Sequence, residues 1–341
     1  MTVNILKYEI IAHLFMIPIL FCTLLVIYLI VKKSTLNLGA YKYLMITATM
    51  SSFLMKVSFE LYGPVPFIHE RGYIIYCNSF LAKYKNIAQN LGYVLTSFFS
   101  NVLFVILVQY IYRILCVTNN RLLRYFDGYW YFMWLTIISG VDVVWYFIIS
   151  TFNADPQIYG RYLRDGIVKN FGRNVSDLVF FGPMTHYDDE HGNVVVHKGT
   201  QFVSTLYYSQ ILLATIIMII IGNIVIQKTK AKGTTISDKT RKMHRKLMKV
   251  LFLQTLTPFL FLFLPQGIAV ALQSAENDSA EFGLLCFALM DVYTVLESLI
   301  VIMFIDDYRN SLKRMILTPT QTDVSHFPNT MIANDVNNTT P

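Results

Sequence analysis

At 341 residues, with 55% hydrophobic and only 14% charged side chains, the chain carries too much apolar surface for a water-soluble globule, which averages about a quarter charged residues. Its net charge of +7 does not mark a nucleic-acid binder, because the nine Lys and Arg between Lys228 and Lys249, set against the single acid Asp238, exceed the charge of the whole protein. Four cysteines without CxxC or Cys/His spacing give no zinc module and no disulfide framework.

Backbone polar groups in hydrocarbon must be satisfied within their own segment, so apolar runs of about 20 residues are expected to be membrane helices. Seven such runs occur, at about 10–31, 41–62, 91–117, 129–151, 202–226, 247–272 and 282–305. The first is too long for a signal-peptide core and has no basic region before it, so it is expected to stay as an anchor. The fold class is therefore all-α integral membrane, a seven-transmembrane helix bundle occupying residues 1–317. Residues 63–90, with Gly63, Pro64 and Pro66, are expected to form an outer loop near the interface. After the seventh span, Asp306 to Arg314 alternates apolar and basic residues as a short amphipathic eighth helix does. Residues 318–341, rich in Thr, Asn and Pro, read as a disordered cytoplasmic tail.

The Lys and Arg residues set the orientation. With the N-terminus outside, 18 of the 28 fall in inner segments, nine in outer ones, and Lys56 lies within a span. Asn174 and Asn277 head glycosylation sequons in loops that this topology places outside.

The stretch Ser237 to Gln266 joins the most basic segment to the sixth apolar run without a break. Met243, Leu247, Val250, Leu251 and Gln254 share one helical face, while Lys242, Arg245, Lys246 and Lys249 lie mostly on the other. Pro258 and Pro265 sit inside the apolar part, where a missing N–H and a ring clash predict a bend.

No GxSxG, HExxH or phosphate-binding glycine loop is present, and no cofactor or metal is expected. His186, Asp188, Asp189, Glu190, His191 and His197 gather in the second outer loop and read as a solvated polar loop rather than a metal site. Ionisable groups within spans are costly and thus paired or functional. Lys56 and Glu60 stand i, i+4 on the second helix, either neutralising each other or serving a ligand; Asp142 and Asp291 either face a ligand cavity or hydrogen-bond between helices; Glu297 lies deeper. Their acidic excess suggests a polar cavity open to the outside and a cationic or hydrogen-bond-donating ligand. Arg113, at the inner end of the third span, would by itself be expected to snorkel to the interface.

Taken together, these residues resemble the nematode serpentine chemoreceptors of the Str superfamily, a group of rhodopsin-like G-protein-coupled receptors, nearest the str and srj classes. Gly39-Ala-Tyr41-Lys42-Tyr43-Leu44-Met45 resembles the family's entry to the second helix, and Tyr112-Arg113 the end of its third. Ser237-x-Lys239-Thr240, then Gln254-Thr255, Pro258 and Pro265, resembles its sixth-helix pattern; Tyr293, Glu297 and Ile305-x-Asp307-Tyr308-Arg309 resemble its seventh. Thr294 and Ser298 replace the usual prolines and Glu297 the usual aspartate, which predicts a straighter inner half of the seventh helix. The second outer loop has no cysteine for the disulfide common in rhodopsin-like receptors, and a Cys77 to Cys286 bridge is an available substitute.

The resemblance implies a chemosensory receptor of the olfactory type in the plasma membrane, in a sensory-neuron cilium by family habit. It would bind an odorant-like small molecule from outside near Lys56, Glu60, Asp142 and Asp291, and couple to a heterotrimeric G protein inside. Coupling would fall to Tyr112, Arg113, Lys239, Arg241, Lys242, Arg245, Lys246 and Lys249, with Pro258, Pro265, Tyr293 and Glu297 as the switch. A seven-helix transporter of small solutes is the alternative, on the strength of Pro156-Gln157 and Pro265-Gln266, although no half-repeat is visible.

Overall fold

The computed structural model describes residues 5–33, 39–69, 72–153, 163–184, 186–188, 193–230, 238–275 and 280–317. Seven helices are long and apolar enough to cross a membrane. They are α1 (Ile5–Lys33), α2 (Tyr41–Tyr62), α3 (Lys85–Val117), α4 (Trp130–Phe152), α6 (Lys198–Lys230), the pair α7 (Asp238–Pro258) and α8 (Leu264–Ser274), and α9 (Ala280–Phe304). The third span is the most buried and the fourth and fifth the least, so α3 is the axis of the bundle while α4 and α6 turn most of their surface outward. Large side chains such as Phe147, Leu212 and Ile219 point out from these two helices, as expected where lipid is the solvent. The 318–341 tail lies outside the described residues.

The expected outer loop after the second span is instead folded. Gly63 ends α2 in the left-handed conformation at φ 58°, its N–H bonding Phe59 O, a role glycine fills at little cost. Then β1 (Pro64–His69) and β2 (Gly72–Cys77) form an antiparallel hairpin, and β3 (Phe180–Phe181) from the second outer loop adds to β2. Pro64 and Pro66 are tolerated because β1 is the edge strand. Side chains of β2 alternate between two cores: Tyr73, Ile75 and Cys77 face down onto the helices, while Ile74 and Tyr76 face up. The upper set packs with Leu163 and Ile167, beside the short helix α5 (Arg164–Phe171), and with Phe180 and Met184. A second hairpin, β4 (His186–Asp188) with β5 (Val194–Val196), precedes α6.

This sheet does the work of the absent loop disulfide. Cys77 and Cys286 are free thiols and form no bridge; they donate instead to Tyr62 O at 3.0 Å and Pro265 O at 3.5 Å. The second outer loop is held by Cys77 N–H to Val179 O at 2.8 Å, and to α3 by Gln89 Nε2 to Phe180 O at 3.3 Å and Lys85 Nζ to Ser176 O at 2.9 Å.

The sixth span carries the expected irregularity. Between Pro258 and Pro265 the chain makes a π-helical turn, Phe259–Phe263. Pro265 has no N–H for the preceding turn, and its ring crowds the carbonyl four residues back, so the ladder widens rather than closing. The seventh span, with Thr294 and Ser298 in place of prolines, runs as one unbroken helix from Ala280 to Phe304. The amphipathic helix α10 (Asp306–Leu317) follows, with Asp306 and Asp307 in its first turn and Arg314 in its last, matching the helix dipole. It buries Tyr308 and exposes Met315, Ile316 and Leu317.

Candidate functional site

At the hairpin end, a cavity of about 150 Å³ opens between α3, α4, α6 and α8 beneath β2 and β3. Its walls are aromatic, with Tyr73, Phe99, Trp145, Phe181, Tyr207 and Tyr208 among them. Phe181, Gly182 and Pro183 form part of its lining, and Gly182 is required there: a Cβ would stand 2.9 Å from Ile74 Cα and closer still to the Tyr73 carbonyl. Gly92 serves the same packing from α3, since a Cβ would meet the Phe181 ring at 2.5 Å. Gln266, at the wall, accepts from Tyr73 Oη at 3.0 Å through Oε1, while its buried Nε2 has no hydrogen-bond partner among the described residues. A buried donor left unpaired is costly, so this amide has an unused donor beside the cavity. Burial holds the Tyr73 phenol well above its usual range, so it stays a neutral donor.

Among the described residues no charged side chain lines this cavity. The four ionisable residues expected around a ligand lie elsewhere, in two separate places. Lys56 Nζ on α2 meets Glu60 Oε1 at 2.5 Å and Asp291 Oδ1 of α9 at 2.6 Å, and Glu60 Oε2 meets His13 Nδ1 of α1 at 2.6 Å. The Lys56 side chain is 5% exposed and that of Asp291 7%. This is a clasp of three helices, not an open polar cavity, and Glu60 and Asp291 of the acidic excess face Lys56 rather than a space for a cationic ligand. Asp142 joins neither group; its Oδ2 accepts from Asn101 Nδ2 at 2.7 Å, bonding α4 to α3. Nothing in the sequence around His13 marks it; only the packing of α1 on α2 and α9 brings it to Glu60.

Deeper in the bundle, Ser52 Oγ donates to Glu297 Oε2 and lies 3.1 Å from Tyr293 Oη. Tyr293 and Glu297 are thus joined to α2 rather than facing solvent.

At the opposite, basic end, Arg113 is 2% exposed. It does not snorkel: Cζ lies 3.4 Å from the centre of the Tyr41 ring, and its Nε and Nη2 are buried without hydrogen-bond partners among the described residues. Tyr41 and Tyr112 stack with centroids 5.9 Å apart at 21°. Tyr41 Oη donates to Gln109 Oε1 at 3.3 Å, and Gln109 Nε2 to Leu44 O at 3.5 Å. Gly39, at φ +53°, brings its backbone so near that a Cβ would sit 3.1 Å from Tyr112 Oη. The two motifs at the entry to α2 and the end of α3 are therefore one contact. Tyr110 Oη, one turn away, takes a hydrogen bond from Thr255 Oγ1 of α7 at 3.2 Å.

The basic arm divides. Lys246 pairs with Asp306 at the start of α10, and Arg245 Nη2 donates to Thr229 O of α6 at 2.8 Å. Lys242 and Lys249 are exposed. Arg241 is half-buried, and the side chain of Lys239 lies outside the described residues. Asn174 is exposed at the start of a 3₁₀ turn; Asn277 lies outside the described residues. Among the described residues no cluster of His, Cys, Asp and Glu could hold a metal, and Asp189, Glu190 and His191 lie outside them.

Seven spans, a capped aromatic cavity at one end and a buried arginine within a basic face at the other define a seven-transmembrane receptor architecture. The profile of the family described as serpentine type 7TM GPCR chemoreceptor Str matches residues 8–313, and the chain belongs to that family. It is 25% identical over 322 residues to serpentine receptor class r-10 of Caenorhabditis briggsae, covering 92% of each chain. It is also 24% identical over 303 residues to the Caenorhabditis elegans protein of that name, covering 87% of each, and 23% identical over 331 residues to G-protein coupled receptor str-33 of C. elegans, covering 93% of each.

Proposed function

We propose that this chemoreceptor binds a small, uncharged, hydrogen-bond-accepting odorant in the aromatic cavity and activates a heterotrimeric G protein at its basic end. The observation that carries the reading is the aromatic-walled space at the hairpin end, with Gln266 in its lining and the buried Gln266 Nε2 without a partner among the described residues. A cavity of about this size holds a benzene-sized guest, and the neutral lining favours ketones, esters or alcohols over ions. The hairpin end faces outside, in keeping with the positive-inside bias, and Asn174 is available there to a glycan. The plasma membrane, and by family habit a sensory cilium, is the proposed site of action. At the basic end, the two bare donors of Arg113 are suited to carbonyl or carboxylate groups of an incoming partner. Lys242 and Lys249 add positive charge around it.

The test is a screen of small ketones, esters, alcohols, amines and acids on cells expressing the full chain with a G-protein reporter. Neutral acceptors are expected to activate it, and Gln266→Leu to weaken their potency roughly tenfold, the value of one buried hydrogen bond. Agonists confined to charged molecules, or unchanged potency in Gln266→Leu at equal surface expression, would overturn the ligand assignment. Arg113→Ala should abolish activation while leaving the receptor at the surface; retained activation removes Arg113 from coupling.

A further inference from the structure

A second cavity is larger than the one at the hairpin end. A groove of about 760 Å³ lies between α3, α6 and α7, toward the basic end. Leu103, Ile106, Tyr110, Met218 and Met248 form its floor. Gly222 keeps it open: where a Cβ would stand, the Tyr110 ring and the Met248 methyl are 3.6 and 3.9 Å away. Ile219, Phe252 and Phe259 are exposed along its walls, so it opens sideways into the hydrocarbon. Along α6 the groove runs from Thr215 to Lys230, about 22 Å at 1.5 Å per residue. That exceeds half of a roughly 30 Å hydrocarbon core, enough to pass from mid-bilayer to the headgroups.

Two features distinguish the groove from an ordinary lipid-facing crevice. Three cations, Lys230, Arg245 and Lys249, line its basic end, and no acid lines it among the described residues. Arg245 is already oriented there by its bond to Thr229 O. Asn223, an exposed amide on the groove wall, stands seven residues deeper than Lys230, about 10 Å into the leaflet. An amide facing hydrocarbon is unfavourable unless it finds a partner. Cations at headgroup depth, an amide below them and an apolar channel below that reproduce in order the parts of one molecule.

We propose that the groove binds one anionic glycerophospholipid of the cytoplasmic leaflet. Its phosphate lies among Lys230, Arg245 and Lys249, an ester carbonyl accepts from Asn223, and one acyl chain lies over Gly222 against Tyr110 and Met248. The site rests on the orientation proposed above, which puts the basic end in the leaflet where anionic lipids concentrate. Binding to purified receptor is read without orientation or signalling, so failure of the lipid site and failure of the receptor reading are separable.

The full-length receptor is exchanged into a neutral detergent and titrated with phosphatidylserine or phosphatidylcholine of identical chains, and lipid retention is read by native mass spectrometry. One phosphatidylserine is expected per receptor, held at least tenfold more tightly than phosphatidylcholine. Lys230→Gln with Lys249→Gln should remove that preference, and Gly222→Leu, which fills the channel without touching charge, should reduce retention of both lipids. In wild-type membranes, a phosphatidylserine carrying a photoreactive chain end should label α6 or α7 between the groove's floor residues, a readout that needs no variant to fold. Equal retention of the two lipids, unchanged preference in the double variant, or chain-end labelling elsewhere on the receptor would each overturn the proposal. So would displacement of phosphatidylserine by millimolar inorganic phosphate, which would make this a phosphate site, or occupancy by detergent alone.

Discussion

The Arg113 guanidinium carbon sits 3.4 Å from the centre of the Tyr41 ring, so a charge from the third span is held on the face of an aromatic from the second. A desolvated cation–π contact is worth about 2 kcal/mol, and the cation needs it, since Nε and Nη2 have no hydrogen-bond acceptor among the described residues. Tyr41→Leu keeps the volume roughly and removes the π face. The expected outcome is ligand-independent G-protein activation raised by up to about 30-fold, the population shift that 2 kcal/mol allows. It is measured as basal reporter signal per receptor at the surface. Basal signal equal to wild type would mean the contact does not restrain Arg113.

The Lys56 clasp makes a stability prediction rather than a ligand one. Lys56→Met leaves Asp291 without a cation and Glu60 with only His13, and breaking a buried pair in this way costs about 3–5 kcal/mol. Lys56→Met with Asp291→Leu removes the two most buried charges, leaves Glu60 with His13, and should recover much of the loss, because apolar replacement of a buried pair is often neutral. The thermal midpoint of purified receptor should fall sharply in the single variant and return in the double. A single variant as stable as wild type would show the clasp to be idle.

These two sites show what the sequence makes legible. Lys56 and Glu60 are visible as a pair because helical spacing is local, and the spans, the amphipathic eighth helix and the proline-bearing sixth helix are equally local patterns. Asp291 as the third member, Asp142 as a bond to Asn101 and His13 as a member at all depend on which helix face meets which, and an apolar run in lipid has no polar side to reveal its facing. The hairpin stayed hidden because Pro64 and Pro66 argue for a loop, and only an edge position reconciles them with a strand. The aromatic cavity is lined by neutral side chains among the described residues, and a lone glutamine such as Gln266 within an apolar run has no pattern that marks it.

The hairpin cap gives a third expectation. Gly182 runs against the backbone of Tyr73 and Ile74 where no side chain fits, and the same strand lines the aromatic cavity. Gly182→Ala should destabilise by at least about 1–3 kcal/mol, the usual cost of overpacking, and displace Phe181 from the cavity. Thermal stability of the purified receptor and agonist potency should fall together. Potency lost without any loss of stability would place the effect in the cavity alone.

Lys246 and Asp306 join the basic end of the sixth span to the start of α10. The hydrogen bond from Lys246, reinforced by the charges of Lys246 and Arg309, holds the Asp306 carboxyl below its usual range. A depressed carboxyl stabilises its pair fully above the ordinary aspartate value near 4 and loses it only as pH falls through the lower folded value. The latch is therefore expected to be constant between about pH 5 and pH 8. Both side chains are nearly half exposed, so the pair is worth no more than about 1 kcal/mol. Asp306→Asn should raise basal activation by no more than about fivefold, with no pH dependence across that window. Charge exchange, Lys246→Asp with Asp306→Lys, should restore it. A basal signal that climbs steeply as pH falls from 7 to 5 would assign the latch to some other group.

The sixth span remains the part of the chain from which motion is most readily argued. Pro258 closes α7, the π turn Phe259–Phe263 follows, and Pro265 opens α8, so two residues without N–H donors flank the one irregular turn in the helix. α7 carries Thr255, bonded to Tyr110 of α3, and Lys246, bonded to Asp306, so a swing about the turn must break both. α8 carries Gln266, bonded to Tyr73 beside the aromatic cavity. The turn thus lies between the proposed ligand anchor and the contacts that tie the basic end of α7 to α3 and α10. Pro258→Ala restores an N–H and removes the ring clash, a change worth up to about 3 kcal/mol toward a regular helix. Agonist-evoked activation is expected to drop at least tenfold, with agonist binding held within about threefold. The two are measured separately, by reporter signal and by ligand displacement on membranes. If Pro258→Ala signals normally while Pro265→Ala does not, the hinge is the far side of the π turn, and Pro258 only ends the helix below it.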